Sequence, residues 1–221
     1  MIPTVSVVGH SNSGKTTLIE RLIGELKRRG RRIAVVKHTG GLFDMDRPGK
    51  DTWRYAEAGC DAIAILGPER SAILERHGRG YRYEGLLAHI GGEVDLMIIE
   101  GLHTGSAPKI EVHRAELGRE LRCKPEDLAA VVTDGTLDVE CPRFAPDDIR
   151  AIADLVEKRI SEQAYGGTAL LVNGQPVSLG RFTQRIIART IIGMLSSLSG
   201  IGAIKTISVS IRTGPDTERT D

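Results

Sequence analysis

The sequence predicts a three-layer α/β domain built on a mostly parallel sheet, followed by a small ββαβ appendage. Short β-branched runs alternate with amphipathic segments along residues 1–165, the pattern that helical crossovers between parallel strands produce. A glycine-rich turn joins the first of these runs to the first helical segment. The texture then breaks at Tyr165-Gly166-Gly167, so the chain divides into residues 1–165 and a small α+β extension over residues 168–212.

Val5-Ser6-Val7-Val8 reads as a buried strand that ends at Gly9. Residues 14–29 read as a helix, with Leu18, Leu22 and Leu26 on one face and a basic last turn (Lys27, Arg28, Arg29) that suits the helix dipole. Gly30 stops it. Ile33-Ala34-Val35-Val36 is the second strand, completing a βαβ unit. Residues 51–58 follow as a helix capped by Asp51 and ended by Gly59. Residues 62–66 and 72–74 are strands, residues 83–90 helical, and Leu96-Met97-Ile98-Ile99 a buried strand. Residues 110–112 and 129–132 add two more. Ala145-Pro146-Asp147-Asp148 opens a helix to about residue 161, with Ile149, Ile152, Leu155, Val156 and Ile160 on one face.

In the appendage, residues 169–172 and 176–179 flank Asn173-Gly174 and read as a hairpin. A helix over residues 182–198 and a strand through Ile207, Val209 and Ile211 complete it. Ile186, Ile187, Ile191, Met194 and Leu198 fall near one face of that helix, which reads either as core against its own sheet or as a dimerisation or docking face.

Composition narrows the function classes. Thirty basic against 29 acidic side chains leave a charge of +1, which argues against a protein built on nucleic-acid phosphates. Aromatics at 4% leave little material for base-stacking platforms. Cys60, Cys123 and Cys141 are scattered and form no C-x-x-C, so a reducing cytoplasm is expected rather than a disulfide framework or zinc knuckle. The first residues lack the basic and apolar regions of a signal peptide. The longest uncharged run, residues 190–204, falls short of the ~18 residues of a membrane span, so no membrane partner is expected.

Gly9-His10-Ser11-Asn12-Ser13-Gly14-Lys15-Thr16 matches G-x-x-x-x-G-K-[ST], placed after a buried strand and before a helix. The glycines let successive amides turn inward as an anion nest, and the helix adds its positive end. Lys15 supplies a charge for β- and γ-phosphates, and the Thr16 hydroxyl a ligand for Mg2+. The expected architecture is therefore a P-loop NTPase domain.

Such a site also needs an acidic residue at a neighbouring strand end. Glu100 follows four apolar residues and is the candidate partner of Thr16 in holding Mg2+. Asp44 and Asp46 lie in the loop after the second strand and read either as Mg2+ or water contacts or as a solvated turn. With Lys15, Asp46 is the candidate catalytic residue. Lys37, His38 and His103 sit at strand ends on the same edge and read as anion contacts or as solvent-facing termini. His77, His89 and His113 show no metal-ligand spacing. Asp134, in Val132-Thr133-Asp134-Gly135, reads as an acceptor for the guanine N1–H and N2–H2 or as a turn aspartate; no N-K-x-D is present.

The first 165 residues resemble the MobB family of molybdopterin-guanine dinucleotide biosynthesis adapter proteins. The resemblance rests on the loop Gly9 to Thr17, Val35-Val36-Lys37-His38-Thr39, Asp46-Arg47-Pro48-Gly49-Lys50-Asp51-Thr52 and Arg54-Tyr55-Ala56-Glu57-Ala58-Gly59. Ile98-Ile99-Glu100-Gly101 and Pro108-Lys109-Ile110 extend it. It implies a GTP-binding P-loop fold, often dimeric, that hydrolyses GTP weakly beside the MobA-like guanylyltransferase that attaches GMP to molybdopterin. Two features depart from the family. Thr39-Gly40-Gly41 stands where members often carry further histidines, and the segment from Thr168 lies outside the core pattern.

The functional expectation is a GTP-binding adapter with slow Mg2+-dependent hydrolysis, working with molybdopterin and a guanylyltransferase as a homodimer. Nucleotide contacts are assigned to Gly9, His10, Ser11, Asn12, Ser13, Gly14, Lys15, Thr16, Thr17 and Asp134. Slow turnover fits the lack of an assignable Gln or Arg finger. One rival is a P-loop small-molecule kinase, for which Arg70, Arg76, Arg79 and Arg82 are a conceivable lid. The other is a metal-insertion GTPase, which the absence of a Cys/His cluster disfavours.

Overall fold

The structure is a computed structural model and describes residues 2–41, 43, 46–76, 90, 94–105, 107–118, 120–163, 168, 170–172, 175–177, 179–200, 207, 209 and 211. Asp44, His77, His89, Arg79, Arg82, the turn at 173–174 and nearly all of the helix expected over 83–90 lie outside these residues. So does most of the strand expected through Ile211.

Among the described residues six strands form the central sheet: β1 (Thr4–Val8), β2 (Ile33–Lys37), β5 (Leu96–Glu100), β6 (Lys109–His113), β7 (Leu128–Thr133) and β8 (Arg143–Phe144), in the spatial order β2-β5-β1-β6-β7-β8. Every pairing within it is parallel. The expected parallel α/β sheet is therefore present, and β1 lies between β5 and β6. The register sets Lys37 opposite Glu100, Val7 opposite Glu100, and Val8 opposite Glu111, so three strand ends meet at one edge.

The helices α1 (Lys15–Arg28) and α3 (Ile149–Gln163) pack against each other and against one face of this sheet. Leu18, Leu22 and Leu26 recur every four residues and bury the inner stripe of α1, meeting Val5, Val7, Ile98, Ile110 and Val112 from the strands and Ile152 and Val156 from α3. Gly30, at φ 80, closes α1 with amide bonds from Gly30 to Lys27 and from Arg31 to Leu26, a left-handed stop that glycine accommodates without strain. On the opposite face Met97, Ile99 and Leu102 gather with Ala34 and Val36.

Two expectations are corrected in detail. Asp51 begins α2 (Asp51–Glu57) as its first helical residue, and Lys50 takes the cap position. Helix α3 begins at Ile149 rather than at Ala145. There the Asp148 carboxylate accepts the Ala145 amide while the Asp148 amide bonds the Ala145 carbonyl, closing a turn that precedes the helix. The strands β3 (Ala62–Leu66) and β4 (Ser71–Glu75) pair with each other as an antiparallel hairpin outside the central sheet.

Beyond α3, β9 (Leu170–Val172) and β10 (Gln175–Val177) form the expected antiparallel pair, and α4 (Arg181–Ser196) follows. Along α4, Ile187 and Ile191 are half-buried while Phe182, Ile186 and Met194 are exposed. No helix among the described residues is long and apolar enough to cross a membrane.

Candidate functional site

The site grows out of the turn between β1 and α1. Gly9 leaves the strand at φ 139, where a Cβ would collide with the Val112 carbonyl and crowd the Ser13 hydroxyl. Asn12 follows at φ 63 and Gly14 at φ 94. Three left-handed residues in six curl the chain back on itself, the conformation that turns amides into one concavity. Gly14 caps α1 with no side-chain hydrogen bond, so the first-turn amides are left to the loop's concave side. His10, Ser11 and Asn12 are exposed, whereas Ser13 is buried with its hydroxyl unpartnered among the described residues.

Lys15 folds over this loop. Its ammonium donates to the Gly9 carbonyl at 3.1 Å and to the His10 carbonyl at 2.6 Å. Burial lowers its pKa, opposed by the nearby Glu100 charge and reinforced by Arg122 and Lys37. An ammonium has three donors, so one N–H remains for an anion held by the loop.

Thr16, exposed in the first turn of α1, donates its hydroxyl to Glu100 Oε1 at 3.2 Å. Glu100 is delivered by the last residue of β5 and stands 3.6 Å from the Lys37 ammonium at the end of β2. Gly101, at φ 87, turns the chain directly afterwards; a Cβ there would lie 3.0 Å from the His38 carbonyl. A hydroxyl and a carboxylate oxygen this close are hard donors of the kind Mg2+ prefers, and Mg2+ keeps waters for its remaining positions. The residue pair fits the ion.

Other predicted residues fall at varying distances from this centre. Asp46 accepts the Arg47 amide through Oδ1 at 2.8 Å, while its Oδ2 is buried with no partner among the described residues. His38 is exposed. His103 lies with its Nδ1 3.9 Å from the Cys123 sulfur, and burial, then the Arg122 charge, holds its imidazole below the ordinary value. Burial pushes the Cys123 thiol up to about 11, so it stays protonated near neutrality. No group of three or more His, Cys, Asp or Glu among the described residues is arranged to hold a metal ion.

Asp134 ends up in a different setting from a free base-reading carboxylate. Its Oδ1 accepts the Ala115 amide at 3.0 Å and its Oδ2 the Arg114 guanidinium at 2.9 Å. These bonds, the amide first, hold its pKa below the usual carboxylate value. Arg114 also donates through Nε to the Ser13 carbonyl of the phosphate loop at 3.1 Å. Sequence reasoning does not single out Arg114. The only available signal is its place directly after Ile110-Glu111-Val112-His113, and that gains meaning once β6 is known to flank β1.

Beneath this edge β6 carries buried charge. Both Glu111 oxygens accept backbone amides, from Arg122 at 2.6 Å and from Cys123 at 2.9 Å. Lys109 donates to the Gly105 carbonyl at 3.1 Å. His113 bridges Thr133 and the Gly118 carbonyl. Each charge or dipole is matched, as burial demands, and together they pin the loops around the site.

A parallel sheet whose first strand curls through left-handed residues into a helix beginning Lys-Thr, beside a carboxylate from the next strand, defines a P-loop NTPase-like α/β protein. Comparison with known proteins narrows the class. The chain belongs to the MobB family: the family model for molybdopterin guanine dinucleotide synthesis protein B matches residues 4–134. A molybdopterin-guanine dinucleotide biosynthesis adapter protein of Haemophilus influenzae is 35% identical over 157 residues, covering 71% of this chain and 88% of the relative. A putative adapter protein of Methanocaldococcus jannaschii is 25% identical across 94% of this chain and 96% of its own. The crystal structure of Bacillus subtilis MobB superposes with a TM-score of 0.59 at 29% identity, over 72% of this chain and 98% of that one.

Proposed function

We propose that this chain binds GTP with Mg2+ in the loop from Gly9 to Thr17, hydrolyses it slowly, and serves as an adapter in molybdopterin-guanine dinucleotide biosynthesis beside a guanylyltransferase. The observation that carries the nucleotide reading is the convergence of the left-handed loop, the Lys15 ammonium and the Thr16–Glu100 pair at one edge of the parallel sheet. The adapter reading rests on family membership and on the names of the relatives.

The amides at the start of α1 bind β- and γ-phosphate oxygens, and the helix's positive end adds to their field. Lys15 reaches the same oxygens with its remaining donor while its other two bonds keep it fixed over the loop. Thr16 and Glu100 hold Mg2+, which when bound neutralises charge on the phosphates. Asp46, with one buried carboxylate oxygen lacking a described partner, is the acidic residue proposed to orient water.

Purified protein mixed with a purified molybdenum cofactor guanylyltransferase tests the proposal. A GTP-dependent complex and slow phosphate release from GTP are expected. Fast phosphoryl transfer from ATP to a small acceptor, with no such complex, would establish a kinase instead.

A further inference from the structure

The guanidinium of Arg114 lies against the phosphate loop at two points and against Asp134 at a third. Nε donates to the Ser13 carbonyl at 3.1 Å, Nη1 donates to Asp134 at 2.9 Å, and Nη2 stands 3.1 Å from where a Cβ on Gly14 would sit. Arg114 follows the last residue of β6, on one flank of β1, whereas Glu100 and its partner Thr16 mark the other flank, at β5. Asp134 is itself fixed by the Ala115 amide, so the fork is anchored to backbone at both ends.

Peptide planarity couples this contact to the geometry of the nest. The carbonyl of Ser13 and the N–H of Gly14 belong to one trans unit and point in opposite directions, and no cis peptide occurs among the described residues. Drawing the Ser13 oxygen toward Arg114 therefore directs the Gly14 N–H away from the guanidinium. The same guanidinium fills the space beside Gly14, where the left-handed φ of 94 already excludes a side chain.

We propose that Arg114 is a positioning residue for triphosphate binding: it orients the Ser13–Gly14 peptide so that the Gly14 amide faces the phosphates, with Asp134 as its anchor. The inference rests on the nucleotide-binding reading above and deepens it, since it assigns Asp134 to the loop's support in place of the guanine edge. A guanidinium is needed because its planar fork spans two acceptors at once, which a lysine ammonium at the end of a flexible stem does not reproduce.

The test uses inorganic tripolyphosphate, which has no base, alongside GTP, both titrated calorimetrically with Mg2+ into the full chain. Arg114→Ala and Arg114→Lys should each lose about tenfold or more in affinity for both ligands at unchanged Tm, the scale of one charge-assisted hydrogen bond. Asp134→Asn should weaken both ligands in the same direction, and the double variant should lose no more than Arg114→Ala alone. Unchanged tripolyphosphate affinity in Arg114→Ala, or full rescue by Lys, would overturn the proposal. So would an Asp134→Asn variant that loses GTP but keeps tripolyphosphate, because that pattern marks base reading; where Arg114→Ala fails to fold, this variant decides. A wild-type chain that binds neither ligand removes the nucleotide reading as well.

Discussion

The Thr16 hydroxyl and the Glu100 carboxylate, 84 positions apart in the chain, share a 3.2 Å hydrogen bond. The bond joins the first turn of α1 to the end of β5 and brings two oxygen donors to one point. Glu100→Gln keeps the shape and a hydrogen-bond acceptor but removes the charge. It is expected to weaken GTP binding in Mg2+ by about tenfold or more while leaving binding in EDTA little changed. Titrations with and without the metal check this.

Gly101 makes that placement possible. Its φ of 87 and the His38 carbonyl, 3.0 Å from a would-be Cβ, both oppose a side chain. Gly101→Ala should cost about 1–3 kcal/mol of stability and displace Glu100, so a lower urea midpoint should accompany weaker Mg2+ dependence.

Leu22 is fully buried between α1, the sheet and α3. Leu22→Ala should lower the unfolding free energy by about 2–5 kcal/mol, the range for a cavity in a core that relaxes only partly. Equilibrium denaturation in urea, at constant m-value, measures it.

His103 gives the fold a pH dependence with a definite sign. Its folded pKa lies below the ordinary 6.5, chiefly through burial and then through Arg122. As pH falls the unfolded chain takes up the proton first. The neutral imidazole's contribution is therefore complete above about pH 7 and is lost as pH falls from 6.5 toward the folded value. His103→Gln should flatten the urea midpoint between pH 7.5 and 5.5 (about the window of the shift) relative to wild type; an identical slope would refute the assignment.

Much of this site is legible in the sequence because its determinants are local. A β-branched run, two glycines six residues or less from a Lys-Thr pair, and leucines at helical spacing place β1, the loop and α1 without reference to the rest of the chain. Glu100 is legible for the same reason, as the acid ending a four-residue apolar strand. Arg114 is not, since its contact with Ser13 spans 101 positions and depends on β6 lying next to β1, which no local pattern encodes. Asp134 illustrates the related difficulty that a carboxylate at a strand end says nothing about which donor will reach it first. The hairpin β3–β4 carries apolar runs like those of the central strands, and only pairing reveals that Leu66 and Ile73 remain exposed. At Ala145-Pro146-Asp147-Asp148 the signals of a helix start are present, but Asp148 closes a turn and the helix waits until Ile149.

Whether this loop grips a guanosine triphosphate through Lys15 is decided by calorimetric titration of GTP with Mg2+ into wild type and Lys15→Ala. Saturable one-to-one binding to wild type is expected, with a loss of at least about a hundredfold in the variant and Tm little changed, because among the described residues Lys15 donates to carbonyls of its own loop. Equal affinity in the two proteins, or no binding to wild type, would contradict it.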